Sequence, residues 1–198
     1  IKQQAIVKNF TNSRLNARFA LDETLGRFHL GQSLNIRYTK DDGQLASISD
    51  AVYYAPYKPI FDPTIPGGYS NTTNVDDFSN GNNPLAAINL NHPVNTGFVF
   101  FPQVFAEVDI ISGLRFRTQL SAEIGGGKKR SYQYGYTAGN NLTNPQQATL
   151  GFSNYSFYTL ENYFSYNKVF GKHNGSATLG NSYLDPGNSP GLNATGTK

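Results

Sequence analysis

Strict period-two alternation of apolar and polar residues constrains this chain more than any other feature. Between Arg27 and Thr39, Phe28, Leu30, Leu34, Ile36 and Tyr38 fall on one side, with Gln32 the single polar break. Arg27, His29, Gly31, Ser33, Asn35, Arg37 and Thr39 fall on the other. From Leu114 onward, Leu114, Phe116, Leu120, Ala122 and Ile124 alternate with Arg115, Arg117, Gln119, Ser121 and Glu123. Side chains of a strand point alternately to opposite faces, so these segments read as two-faced β-strands.

Four further segments follow the same rule less strictly. They are centred on Leu15 to Leu21, Val104 to Ile110, Tyr158 to Tyr166 and Ala177 to Tyr183. No segment shows a helical period. About six strands result, several longer than the usual five or six residues. Composition agrees: 22 Asn and 20 Gly favour turns, while 13 Tyr and 14 Phe favour strands.

The connections alternate in length. Short turns are expected at Asp22-Glu23-Thr24, at Ile111-Ser112-Gly113 and around Gly171-Lys172-His173-Asn174. Long loops are expected over residues 41–98 and 125–155, with a third beginning near Asp185. Successive hairpins then place the tight turns at one end of a sheet and the long loops at the other. Outer-membrane barrels have that asymmetry, with short periplasmic turns and long outer loops. Tyr38, Phe98, Phe100, Phe101, Tyr155, Phe157 and Tyr158 gather where strands would cross an interface, as amphipathic rings do at headgroup level. The fold expected is all-β: an antiparallel section of a large transmembrane β-barrel occupying residues 1–198. A soluble sandwich also alternates apolar and polar residues. A soluble, β-rich carbohydrate-binding module is therefore the competing reading.

Within a barrel, Phe28, Leu30, Leu34, Leu114, Phe116 and Leu120 are expected to face lipid. Arg14, Arg18, Arg37, Arg115 and Arg117 share the opposite face and are expected to line the lumen. No run approaches eighteen apolar residues, which excludes a transmembrane helix. Charge-driven disorder is excluded too, because only 15% of residues are charged. Ile1 to Phe10 has no apolar stretch of the signal-peptide kind, and methionine is absent even at position 1.

The first long loop carries an ordered set of words. It reads Ala55-Pro56-Tyr57-Lys58-Pro59-Ile60-Phe61-Asp62-Pro63, then Pro66-Gly67-Gly68-Tyr69, then Asn82-Asn83-Pro84-Leu85-Ala86-Ala87. Repeated prolines and a glycine pair describe a rigid, aromatic-rich loop. Together with the strand from Phe105 to Glu123, the hairpin from Leu160 to Asn174 and the following Ala177-Thr178-Leu179-Gly180-Asn181-Ser182-Tyr183, this series resembles the SusC-like (SusC/RagA) family of TonB-linked outer-membrane transporters. The matches keep the same order and span roughly residues 10 to 185.

The resemblance implies a barrel of about 22 strands with an N-terminal plug. It also implies a SusD-like surface lipoprotein as partner and TonB-driven import of glycans, oligosaccharides or peptides. No plug and no aromatic-ended closing strand is recognisable, so an internal barrel section is expected.

Site chemistry is sparse. His29, His92 and His173 lie far apart without metal-ligand spacing, and no catalytic set or resident metal is expected. Gly125-Gly126-Gly127-Lys128-Lys129 lacks the spacing and helix of a phosphate loop. Asp62, Asp76 and Asp77 are candidates for a calcium site in the first loop, without an EF-hand pattern. Asn71-Thr72-Thr73 and Asn193-Ala194-Thr195 read as chance triplets rather than glycan acceptors. Lys128, Lys129 and Arg130 form the one dense basic run, read as a solvated loop and too short for nucleic-acid binding. Tyr53, Tyr54, Tyr57 and Tyr69, with Tyr132, Tyr134 and Tyr136, are the candidate substrate contacts, since aromatic faces stack on sugars and peptide side chains. The alternation of the last three suggests that the second loop extends as a β-hairpin.

Overall fold

A computed structural model of the chain describes residues 2–4, 9–45, 47–65, 67–70, 83–138 and 142–197. Its elements in order are β1 (Lys2–Gln4), β2 (Thr11–Leu25), β3 (Phe28–Asp42), α1 (Ile48–Tyr53), α2 (Pro84–Leu90), β4 (Asn91–Ile111), β5 (Leu114–Gln133), β6 (Tyr136–Ala138), β7 (Leu142–Asn144), β8 (Gln147–Phe170), β9 (His173–Asp185) and β10 (Gly191–Thr197). The protein is all-β. One antiparallel sheet runs β1-β2-β3-β4-β5-β8, with β9 and β10 both on the far edge of β8. The sheet is open among the described residues: β1 pairs with β2, and β9 and β10 pair with β8.

Register turns the alternation of single strands into two continuous faces. Leu34 lies opposite Phe19 on one side and Pro102 on the other. Val104 lies opposite Leu120, which lies opposite Leu160, and Phe116 lies opposite Phe164, which lies opposite Leu179. The mainly apolar stretch is eleven residues long on each of four strands, 15–25, 28–38, 98–108 and 114–124, with Glu23, Gln32 and Thr118 as its polar breaks. A strand crossing a bilayer at about 45° needs about 9–11 residues.

The apolar face is uncovered. Leu15 is 67% exposed, Phe19 63% and Leu120 46%. Among the described residues, the buried apolar side chains are Ala55, Ala86 and Ile88, all between β3 and β4. The sheet has no core of its own on that side, whereas a sandwich would bury this face beneath a second sheet.

Several boundaries differ from the sequence expectation. Asp22-Glu23-Thr24 is not a turn, because these residues pair with Gly31, Leu30 and His29 inside the ladder. The chain reverses at Gly26 and Arg27, where Gly26 takes φ 64°, so Arg27 belongs to the turn and not to β3. Gly171 (φ 63°) starts the third turn in the same way. Glycine at the first central position suits the tight hairpins whose twist matches the strands.

The expected loop 41–98 is narrower, with β3 reaching Asp42 and β4 starting at Asn91. The expected loop 125–155 is mostly sheet. β5 and β8 stay paired up to Gln133 opposite Gln147, and β6 pairs with β7 beyond them. The third long loop is also corrected: after residues 186–190 the chain returns to the sheet, and β10 pairs with the first part of β8. Gly125, Gly126 and Gly127 lie within β5, paired with Tyr155, Asn154 and Ser153. A β-carbon on Gly125 would fall 2.5 Å from Cζ of Tyr155, whose ring lies across the strand there.

Candidate functional site

The polar face carries a side-chain network near the short turns. His29 Nε2 lies 3.2 Å from Asp109 Oδ2, and His29 Nδ1 lies 3.1 Å from Thr24 Oγ1. Arg115 donates from Nε to Asp109 Oδ1 at 2.8 Å and pairs through Nη1 with Glu107 at 3.0 Å. Arg117 pairs with the other Glu107 oxygen at 3.7 Å and donates from Nη2 to Gln119 Oε1 at 2.8 Å. Gln119 in turn donates to Glu161 Oε2 at 3.2 Å. Alternation places all these groups on one face, and register brings them together from β2, β3, β4, β5 and β8.

All five arginines expected on the polar face lie there. Arg14 is opposite Thr39, Arg18 opposite Asn35, and Arg37 sits higher on β3 with its guanidinium 5.5 Å from the Phe101 ring centroid. The six expected lipid-facing residues, Phe28, Leu30, Leu34, Leu114, Phe116 and Leu120, share the opposite, apolar face. The aromatic group divides. Tyr38, Phe98, Phe100 and Tyr158 lie on the apolar face, whereas Phe101, Tyr155 and Phe157 lie on the polar face.

Between β3 and β4 the chain builds a small cap around Asn83. This side chain is buried and caps α2, its Oδ1 accepting from Leu85 N at 3.1 Å. Its Nδ2 donates to the carbonyls of Ile60 (2.8 Å) and Ser70 (3.0 Å). Tyr54 donates its hydroxyl to Pro59 O at 2.9 Å and lies 3.4 Å from the same Nδ2. Phe61 and Tyr69 face each other across a short bridge, their ring centroids 5.2 Å apart. Asn89 donates to the Tyr69 hydroxyl at 2.8 Å.

Asp62 accepts from Thr64 N (2.9 Å) and Thr64 Oγ1 (2.6 Å), and these two bonds hold its carboxyl below the usual pKa. Asp76, Asp77 and the Asn71 triplet lie outside the described residues. No group of three potential metal ligands occurs among the described residues.

The tyrosine candidates separate by environment. Tyr54 and Tyr69 are held inside the cap. Among the described residues of the cap, Tyr53 and Tyr57 are the most exposed aromatic side chains, at 65% and 77%. Tyr132 lies on the face continuous with the apolar belt, opposite His92 and Ala148, and not on the polar face. Its ring meets Tyr134 edge-on at 4.9 Å, and its hydroxyl accepts from Gln146. Tyr136 packs against the first loop, since a β-carbon on Gly67 would fall 2.6 Å from its Cβ. Burial raises the Tyr136 phenol pKa, and the nearby Asp50 carboxylate adds to the rise.

Sequence reasoning passed over two functional-looking groups. Phe105 sits on the polar face of β4 between Gly31 and Arg117, an aromatic out of phase with its strand's polar pattern. Asn83 was visible only as one letter of a loop word, because its partners Ile60 and Ser70 are 23 and 13 residues away. No family model matches the chain, and no curated protein matches it.

Proposed function

We propose that this chain forms part of a TonB-dependent outer-membrane importer of the SusC-like kind. In this reading it works with a SusD-like surface lipoprotein to take up glycans, oligosaccharides or peptides. The observation that carries the reading is the apolar belt: eleven residues deep on neighbouring strands, in register, uncovered, and bounded on one side by every tight turn. A belt of that depth at barrel tilt is about 25 Å tall, the height of the apolar band of outer-membrane barrels.

The opposite face suits passage of polar solutes: it carries five arginines, of which Arg115 and Arg117 pair with Glu107 and Asp109, and Glu161 accepts from Gln119. TonB acts in such importers through a plug, and the polar network would face that plug or the solute path. Tyr53 and Tyr57 are the cap residues best placed for substrate. No reaction is assigned to these residues.

The experiment is fractionation of the full-length protein combined with heat-modifiable migration on gels. Recovery in the outer membrane with a heat-dependent shift is the expected result. A detergent-free soluble protein with no shift overturns the reading and leaves a soluble binding module.

A further inference from the structure

The basic run Lys128-Lys129-Arg130 lies within β5, where register divides it between the two faces. Lys129 is opposite Asn95 and Gly151 on the polar face. Lys128 is opposite Thr96 and Phe152, and Arg130 opposite Val94 and Leu150, on the face of the apolar belt. Lys40 of β3 shares the row of Lys128 through Thr96, which puts the two about 10 Å apart at the usual strand spacing. This row is the next one on that face beyond Tyr38, Phe98 and Gly126, at the edge of the belt far from the tight turns.

Charge on this collar is not balanced. Lys40 is paired with Asp42 at 2.7 Å. Among the described residues, no carboxylate forms an ion pair with Lys128 or Arg130, and both are exposed. Lys128 lies over the Phe152 ring at 5.5 Å. Leu150, Phe152 and Leu192 stand exposed beside these cations on the same face. Cations without a carboxylate partner beside exposed apolar side chains match the boundary between acyl chains and anionic headgroups.

We propose that Lys128 and Arg130, with Lys40 at the flank, bind the phosphate of an outer-leaflet lipid whose headgroup rests against Leu150, Phe152 and Leu192 and whose acyl chains run down the belt from Phe98 and Tyr38. The proposal rests on the barrel reading above. The test uses full-length protein extracted from outer membranes in mild detergent, with heat-modifiable migration as an independent check of the barrel. Native mass spectrometry follows titration with diphosphoryl lipid A and with its dephosphorylated form.

Wild type is expected to bind the phosphorylated form more tightly. The double variant K128Q/R130Q is expected to lose about tenfold or more of that affinity, each basic residue near a charged lipid surface contributing measurably. K129Q, with the same loss of charge on the other face, is expected to bind as wild type. Equal binding of both lipid forms, an unaffected double variant, or an equal loss in K129Q overturns the proposal. So does binding of inorganic phosphate alone as tightly as the lipid. An absent heat shift in wild type overturns the barrel reading itself, separately from the collar.

Discussion

The guanidinium carbon of Arg117 lies 3.8 Å from the ring centroid of Phe105, and the same ring rests on Gly31. A β-carbon on Gly31 would fall 2.1 Å from Cε1 of Phe105. The three residues form a stack across β3, β4 and β5. Gly31→Ala is expected to push the ring out of line with Arg117. Arg117→Ala should cost about 1–2 kcal/mol, the range for a partly desolvated cation–π pair. In a double-mutant cycle on thermal unfolding, the two substitutions should be clearly non-additive. Additive effects would show that Gly31 does not seat the ring.

Position on the sheet decides the effect of a charge. Leu34→Lys and Leu120→Lys each place an ammonium near the middle of the belt, at a cost of about 2–4 kcal/mol at the bilayer midplane. Ser33→Lys places the same group on the polar face one residue away. The heat-modifiable fraction in outer membranes should fall for the first two and stay near wild type for Ser33→Lys. Equal tolerance of all three counts against a lipid-facing belt.

Asn83→Ala removes the α2 cap and two carbonyl contacts at once. A loss of about 1–3 kcal/mol is expected, confined to the cap, because the helix cap goes, Ile60 O is left with Ser70 N as its donor and Ser70 O with the longer contact from the Tyr54 hydroxyl. Hydrogen exchange should rise over residues 54–70 and 84–90 and stay unchanged in the paired parts of β4 and β5. Uniform exchange across the sheet would show that the cap is not an independent unit.

Tyr53→Ala and Tyr57→Ala are expected to weaken substrate uptake, and Tyr53→Ala to leave cap protection intact. Tyr54→Phe should do the reverse, since it removes the donor to Pro59 O. If only Tyr54→Phe reduces uptake, the exposed rings are not substrate contacts.

The Tyr136 phenol has its pKa raised in the folded protein, so its contribution is present below the unfolded value and is lost as pH rises through the folded one. Protection of the Tyr136 contact with the first loop should therefore fall on the alkaline side of pH 10. Tyr136→Phe should reduce the late component of an ultraviolet phenolate titration and make loop protection insensitive to pH there. An unchanged titration curve would show that Tyr136 is not among the late-ionising phenols.

The sheet was readable in the sequence because alternation is local. Every residue on the clean strands at Phe28 and Leu114 falls on the face its parity assigns, and all five arginines follow. Boundaries were less readable. Asp22, Glu23 and Thr24 look like turn formers, yet the reversal waits for Gly26, the residue that takes positive φ without a steric cost. The extension of β5 and β8 was partly readable: the alternation at Tyr132 suggests a hairpin and the two strands do stay paired to Gln133, but Gly125, Gly126 and Gly127 resemble a loop until Tyr155 is seen across the strand. The return of β10 was hidden for a related reason: residues 186–190 carry two prolines and a glycine, and nothing local tells that the edge of β8 awaits beyond them. The Asn83 cap and the Phe105 stack depend on partners distant in sequence, which periodicity does not encode.

β4, β5 and β8 continue far past the belt. From Ile124, β5 runs nine more residues to Gln133, hydrogen-bonded to β8 along the way. At about 3.3 Å per residue and a tilt near 45°, that extension would rise about 20 Å above the hydrocarbon layer of the proposed barrel. In that reading solute would first meet protein on a stiff turret, with the cap at its rim, and would be held beyond the headgroup layer before it came down to the height of Arg115 and Arg117.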